Sequence, residues 1–97
     1  MEQEKTNYVL PDSAVWSHIC KLAVIDDKPI MLDYWTDSLE ERVVIGVREN
    51  GEKLLVKNAE EYTSPIAKIF KVSGTYIICT ENSIYLTCDK IKSKRIS

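Results

Sequence analysis

His18 is the only histidine in this 97-residue chain. Nucleophilic triads, facial metal triads and histidine zinc sites each need further ligands or a matched base, and a single imidazole cannot supply them. The bland alternative is a partly exposed histidine on a helix. The three cysteines, Cys20, Cys79 and Cys88, have no CxxC spacing, so no zinc knuckle or redox motif is expected. The three glycines, Gly46, Gly51 and Gly74, stand alone, so neither GxGxxG nor GxxxxGK[ST] exists to cradle a phosphate. Carboxylates occur side by side as Asp26-Asp27, Glu40-Glu41 and Glu60-Glu61, all in predicted loops. Neighbouring residues on a loop seldom converge on one substrate atom, and such pairs are usually solvated turns. No catalytic residue, metal site or cofactor is assigned, and a non-enzymatic protein is expected.

Residues suited to binding are easier to find. Asp33-Tyr34-Trp35-Thr36 places two large amphipathic rings at the end of a predicted strand. Period 2 sends Tyr34 and Trp35 to opposite faces, one into the core and one outward as an anchor; the alternative is that both complete a small core. Tyr62, in the polar stretch 58–64, is a further exposed aromatic candidate. Arg42 and Arg48 flank the run Val43 to Val47 with the same strand parity. They could present two forked donors on one face to a carboxylate or phosphate, or simply form surface ion pairs. Lys90, Lys92, Lys94 and Arg95 make the last nine residues +3, against −5 for the other 88. An acidic body is a poor general surface for nucleic acid, so only this basic tail invites one.

These residues need elements to hold them. Asp12 is a plausible N-cap for a helix over 13–25, whose Val15, Ile19, Leu22 and Ala23 recur at helical spacing. From Lys28 the period becomes 2, predicting strands over 30–35, 43–47, 53–57, 66–72, 76–80 and 84–88. Asn50-Gly51 between two apolar runs signals a hairpin with a type I′ turn. The expectation is an α+β, mostly β domain, an N-terminal helix followed by about six antiparallel strands in a meander, forming a small SH3-like barrel or a curved sheet. Residues 1–10 are predicted to be a flexible lead, 11–89 the single domain and 90–97 a basic tail outside it.

The last hairpin decides whether Cys79 and Cys88 can bridge. With Thr80 opposite Ile84, Cys88 faces Tyr76 and points away from Cys79. With Glu81 opposite Ile84, the two cysteines lie diagonally about 7–8 Å apart. A disulfide needs Cβ atoms about 4 Å apart, so reduced thiols in a cytoplasmic setting are expected.

Apolar residues at 44% and charged residues at 29% suit a folded domain. No run approaches the roughly 18 apolar residues of a membrane helix, and the start MEQEKTNYVL has no signal-peptide core. Eleven isoleucines and ten lysines against three arginines point to an AT-rich coding sequence, as in a low-GC bacterium, a phage or a large DNA virus. The leading expectation is a protein-interaction module, of the kind a small phage or viral accessory protein provides, that docks a protein partner and pairs edge strands as a homodimer. Nucleic-acid binding by a small barrel, with the tail on phosphates, is the second reading. A sponge for a small anionic ligand held by Arg42 and Arg48 is the third.

Overall fold

The computed structural model describes residues 10–96. Helix α1 (Ser13–Asp26) starts where the sequence signals it, with the Asp12 carboxylate accepting the Ala14 N–H at 3.1 Å. It ends in a left-handed Asp27, whose N–H returns to the Ala23 carbonyl. The strands are β1 (Ile30–Met31), β2 (Val44–Val47), β3 (Lys53–Asn58), β4 (Glu61–Tyr62), β5 (Ile66–Val72), β6 (Thr75–Thr80), β7 (Ile84–Cys88) and β8 (Lys92–Arg95). A short helix α2 (Trp35–Leu39) lies between β1 and β2.

The domain is α+β and mostly strand, but its strands do not close into one barrel. They form two four-stranded sheets, ordered β1-β7-β6-β5 and β4-β3-β2-β8. The simple antiparallel meander is corrected by two parallel pairs, β1 with β7 and β2 with β8, which tie distant parts of the chain together.

Layering follows from strand parity. One face of the first sheet presents Ile77, Cys79, Ile84, Leu86 and Cys88 to Val15 and Ile19 of α1, with Trp35 in the same core. Its other face presents Ile78, Tyr76 and Tyr85 to Ile45 and Leu55 of the second sheet and to Val43 just before it, with Tyr34 in the same core. The order is therefore helix, sheet, sheet, and among the described residues no layer follows.

The predicted strand 30–35 survives only as its first two residues. Local hydrogen bonds win over period 2 here: the Ser38 N–H donates to the Tyr34 carbonyl at 3.0 Å and the Ser38 hydroxyl to the Trp35 carbonyl at 2.6 Å, closing a helical turn. The same hydroxyl accepts the Cys88 N–H at 2.9 Å, so α2 caps the outer edge of β7 beyond β1.

The β2–β3 hairpin is present, but its turn is not type I′. Gly51 alone in the loop has positive φ, at 91°, and its N–H donates to the Arg48 carbonyl while the Arg48 N–H donates to Glu52. This is a three-residue loop, a type I turn followed by a left-handed glycine. In the last hairpin Cys79 pairs with Ile84 and Cys88 with Thr75, a register different from both expected ones. The two cysteines share a face but lie four residues apart along the strands, roughly 13 Å, and all three thiols are free. The expected lead over 1–10 lies, Leu10 excepted, outside the described residues. The expected tail is corrected: residues 92–95 are strand β8, paired with β2 from Val44↔Lys92 to Val47↔Arg95. No helix among the described residues is long and apolar enough to cross a membrane.

Candidate functional site

The outer face of the second sheet collects the side chains that the core does not use. Cross-strand partners share a face, so one row runs Tyr62, Val56, Val44, Lys92 and the next Leu54, Gly46, Lys94. After β8 the Ile96 N–H donates to the Val47 carbonyl at 2.9 Å, and its side chain folds back over Gly46. A Cβ on Gly46 would stand 2.7 Å from Ile96 Cδ1 and 2.9 Å from Val56 Cγ2, so the missing side chain is what lets Ile96 lie down. Over this floor of Val44, Leu54, Val56 and Ile96 opens a concavity of about 860 Å³.

Its rim is built by local structure. Arg42 follows the end of α2, where Glu41 takes a left-handed turn with φ 60° and the Arg42 N–H donates to the Asp37 carbonyl at 2.9 Å. Arg48 opens the β2–β3 turn. Tyr62 is set by the β3–β4 turn, in which the Asn58 side-chain oxygen accepts the N–H groups of Glu60 and Glu61 at 2.8 and 3.0 Å. The Leu55 N–H donates to the Thr63 hydroxyl at 3.1 Å and locks the strand beside it. Tyr62 remains 54% exposed. Lys94 lines the fourth side from β8.

Four predicted site residues thus meet on one surface: Arg42, Arg48, Tyr62 and Lys94. The two arginines sit in open ion pairs, Arg42 with Glu40 at 3.2 Å and Arg48 with Glu52 at 3.3 Å. Such exposed pairs are worth about 0–1 kcal/mol, so exchanging either carboxylate for a ligand's costs little. Lys90 and Lys92 border a separate dip of about 100 Å³ with Glu41. Arg95 has the opposite parity on β8 and lines neither concavity.

Tyr34 and Trp35 do not belong to the site. The outward ring is corrected in favour of the alternative, both rings in the core, since Tyr34 is 5% and Trp35 9% exposed. A helical turn replaces the strand, and adjacent residues there enter the two cores on either side of the first sheet rather than core and solvent. Tyr34 meets Tyr85 edge-on at 5.3 Å and carries the Lys57 ammonium 4.6 Å above its ring. Lys57, at a bulge in β3, lines the concavity as well, with its ammonium held by Asp37 at 3.1 Å. Burial, then Tyr85 and Asp33, pushes the Tyr34 phenol up to about 12. His18 lies exposed on α1 beside Phe70, ring centroids 6.0 Å apart. Among the described residues no group of three His, Cys, Asp or Glu side chains is placed to hold a metal ion.

Sequence reasoning missed the floor. The signal was present in Val43-Val44-Ile45 and Leu54-Leu55-Val56, continuous apolar runs where a strand with one solvated face should alternate. Such runs mean that both faces are apolar, and here the outer one is covered only in part, with Leu54 buried and Val44, Val56 and Ile96 part-exposed.

Comparison with known protein families, curated proteins and solved structures finds no match for this chain.

Proposed function

We propose that this chain is a non-enzymatic binding module that docks an acidic, partly apolar segment of a protein partner on the outer face of its second sheet. The observation that supports it is one uncovered sheet face whose apolar floor is ringed by Arg42, Arg48, Lys94 and the exposed ring of Tyr62. Val44, Val56 and Ile96, part-exposed around the buried Leu54, offer seats to apolar side chains, and the guanidinium forks donate to carboxylates in a bidentate manner. Tyr62 supplies a rigid amphipathic anchor.

Charge argues against a second copy as the occupant. The charged groups that line it, Arg42, Arg48, Lys57 and Lys94 against Glu41, are net positive, so a two-fold pairing of this face with itself would bring two positive surfaces together. Nucleic acid fits less well, because an apolar floor has no use for phosphates and one ring makes a poor stacking platform. A small anionic molecule is the second reading, favoured by a concavity volume within the range of ligand sites.

A titration of isotope-labelled protein with an acetylated, amidated peptide of alternating glutamate and leucine tests this. Amide shifts confined to β2, β3, β4 and β8, lost in Arg42→Ala/Arg48→Ala while circular dichroism is unchanged, are the expected result. Equal affinity for the lysine–leucine counterpart, or tighter binding of oligothymidylate, would sink the reading.

A further inference from the structure

We propose that β8 is a receiving edge, and that the acidic partner segment joins the second sheet as a fifth strand beside it. This rests on the docking reading above and adds how the segment is held. In the parallel ladder with β2, the Ile96 N–H bonds Val47. Alternation then turns the backbone groups of Lys92 and Lys94 toward β2 and those of Ser93 and Arg95 outward. Among the described residues nothing pairs with that outer side, since β8 ends the sheet. All four of its residues are exposed.

An open edge with free N–H and C=O groups is a template for another strand, and side chains decide which. Lys92, Lys94 and Arg95 place three cations on four consecutive residues. They repel a second β8, whose cations would stand directly opposite, and they attract an extended chain bearing carboxylates at those positions. Lys94 belongs both to this edge and to the rim of the concavity, so an added strand would lie along the wall of the site with one row of side chains over the floor.

The other edges serve less well. Strand β5 is seven residues long but bulged between Ile66 and Lys68, and β1 and β4 have two residues each. Strand β4 does carry Glu61 at the far edge of the same sheet, so a head-to-tail chain of copies, β4 on β8, is the competing occupant. Its two residues offer too few backbone bonds to hold such a chain.

Amide hydrogen exchange read by NMR, with the acidic peptide, provides the test. Binding should slow exchange at the Ser93 and Arg95 amides at least tenfold, and a peptide N-methylated at alternate residues should lose that protection together with most of its affinity. Ser93→Pro removes an outward N–H and none from the β2 ladder, so it should fold and bind at least tenfold more weakly. Should that variant not fold, the N-methylated peptide decides alone. If the acidic peptide shifts Val44, Val56 and Tyr62 without protecting Ser93 and Arg95, strand addition is wrong and the docking reading stands. If no acidic peptide binds, both fall. Protection that rises with protein concentration in the absence of peptide would assign the edge to a second copy and overturn the proposal.

Discussion

Gly46→Ala isolates the packing that shapes the floor of the concavity. Two effects oppose each other. Replacing a glycine inside a strand, at a residue without positive φ, stabilises by roughly 0.5–1 kcal/mol through the unfolded chain. Against this, the new Cβ meets Ile96 Cδ1 at 2.7 Å, Val56 Cγ2 at 2.9 Å and Ile96 Cγ1 at 3.2 Å. Carbon atoms rest about 3.5–4.0 Å apart, and overpacking a tight site costs roughly 1–3 kcal/mol. Which effect wins depends on who yields. Ile96 lies past the end of an edge strand and can swing away, whereas Val56 is β-branched and sits on β3 between two neighbouring strands. The Val56 contact therefore persists, and the net effect should be destabilisation of about 1 kcal/mol, a fall of roughly 4–8 °C in Tm.

Urea denaturation and thermal scans of Gly46→Ala, Val56→Ala, Ile96→Ala and the two doubles separate the contacts. The double with Val56→Ala should be less damaged than the sum of its singles by about 0.5–1 kcal/mol, and the double with Ile96→Ala by less. A Gly46→Ala protein as stable as the parent or more so, with additive doubles, would refute the reasoning: the floor would then be loosely packed and Ile96 not seated by the glycine.

Two further outcomes follow from the interior. The Thr87 hydroxyl is buried without a hydrogen-bond partner, so Thr87→Val should raise stability by about 1 kcal/mol in urea denaturation; a loss would mean that the hydroxyl is satisfied. Because burial lifts the Tyr34 phenol from 10.0 to about 12, its folded pKa exceeds the unfolded one. That stability is complete below pH 10 and is lost as pH rises toward 12, amounting to about 2–3 kcal/mol. Tyr34→Phe should flatten the fall in urea midpoint between pH 10 and 12, and an unchanged slope would place the lost stability in another group.

The sequence makes some of this legible and hides the rest for physical reasons. Asp12 and the Val15–Ile19 stripe locate α1 because capping and helical periodicity are local. Five of six predicted strands appear because period 2 and turn residues are local as well. That Tyr34 and Trp35 both enter the core is one of the two readings the sequence allows, but the helical turn that puts them there is hidden, because the Ser38 hydroxyl, serving both the Trp35 carbonyl and the Cys88 N–H, acts across 50 residues. Arg42 and Arg48 do share a face, as their parity requires, but nothing local says that this face lacks a cover. Strand β8 was invisible for a related reason. An edge strand exposed on both sides needs no apolar alternation, only a neighbour's backbone, and β2 lies more than 40 residues earlier.

The charged segment and the uncovered face are therefore one feature. Had residues 92–95 been a loose solubilising tail, the second sheet would end at β2, with Val44 and Gly46 at its margin and no lid from Ile96. Paired with β2, the same residues move the edge outward by one strand, set Lys94 above the floor and bring Ile96 over Gly46. The strand does this with exposed side chains and backbone bonds along one side only, so its hold on the sheet belongs to the weak end of local stability. A partner bonded along its other side would complete its backbone pairing and bring anionic groups to its cations. Under the proposed docking, binding and the ordering of β8 are coupled: a substitution that loosens this strand should weaken binding, and a bound segment should firm the strand.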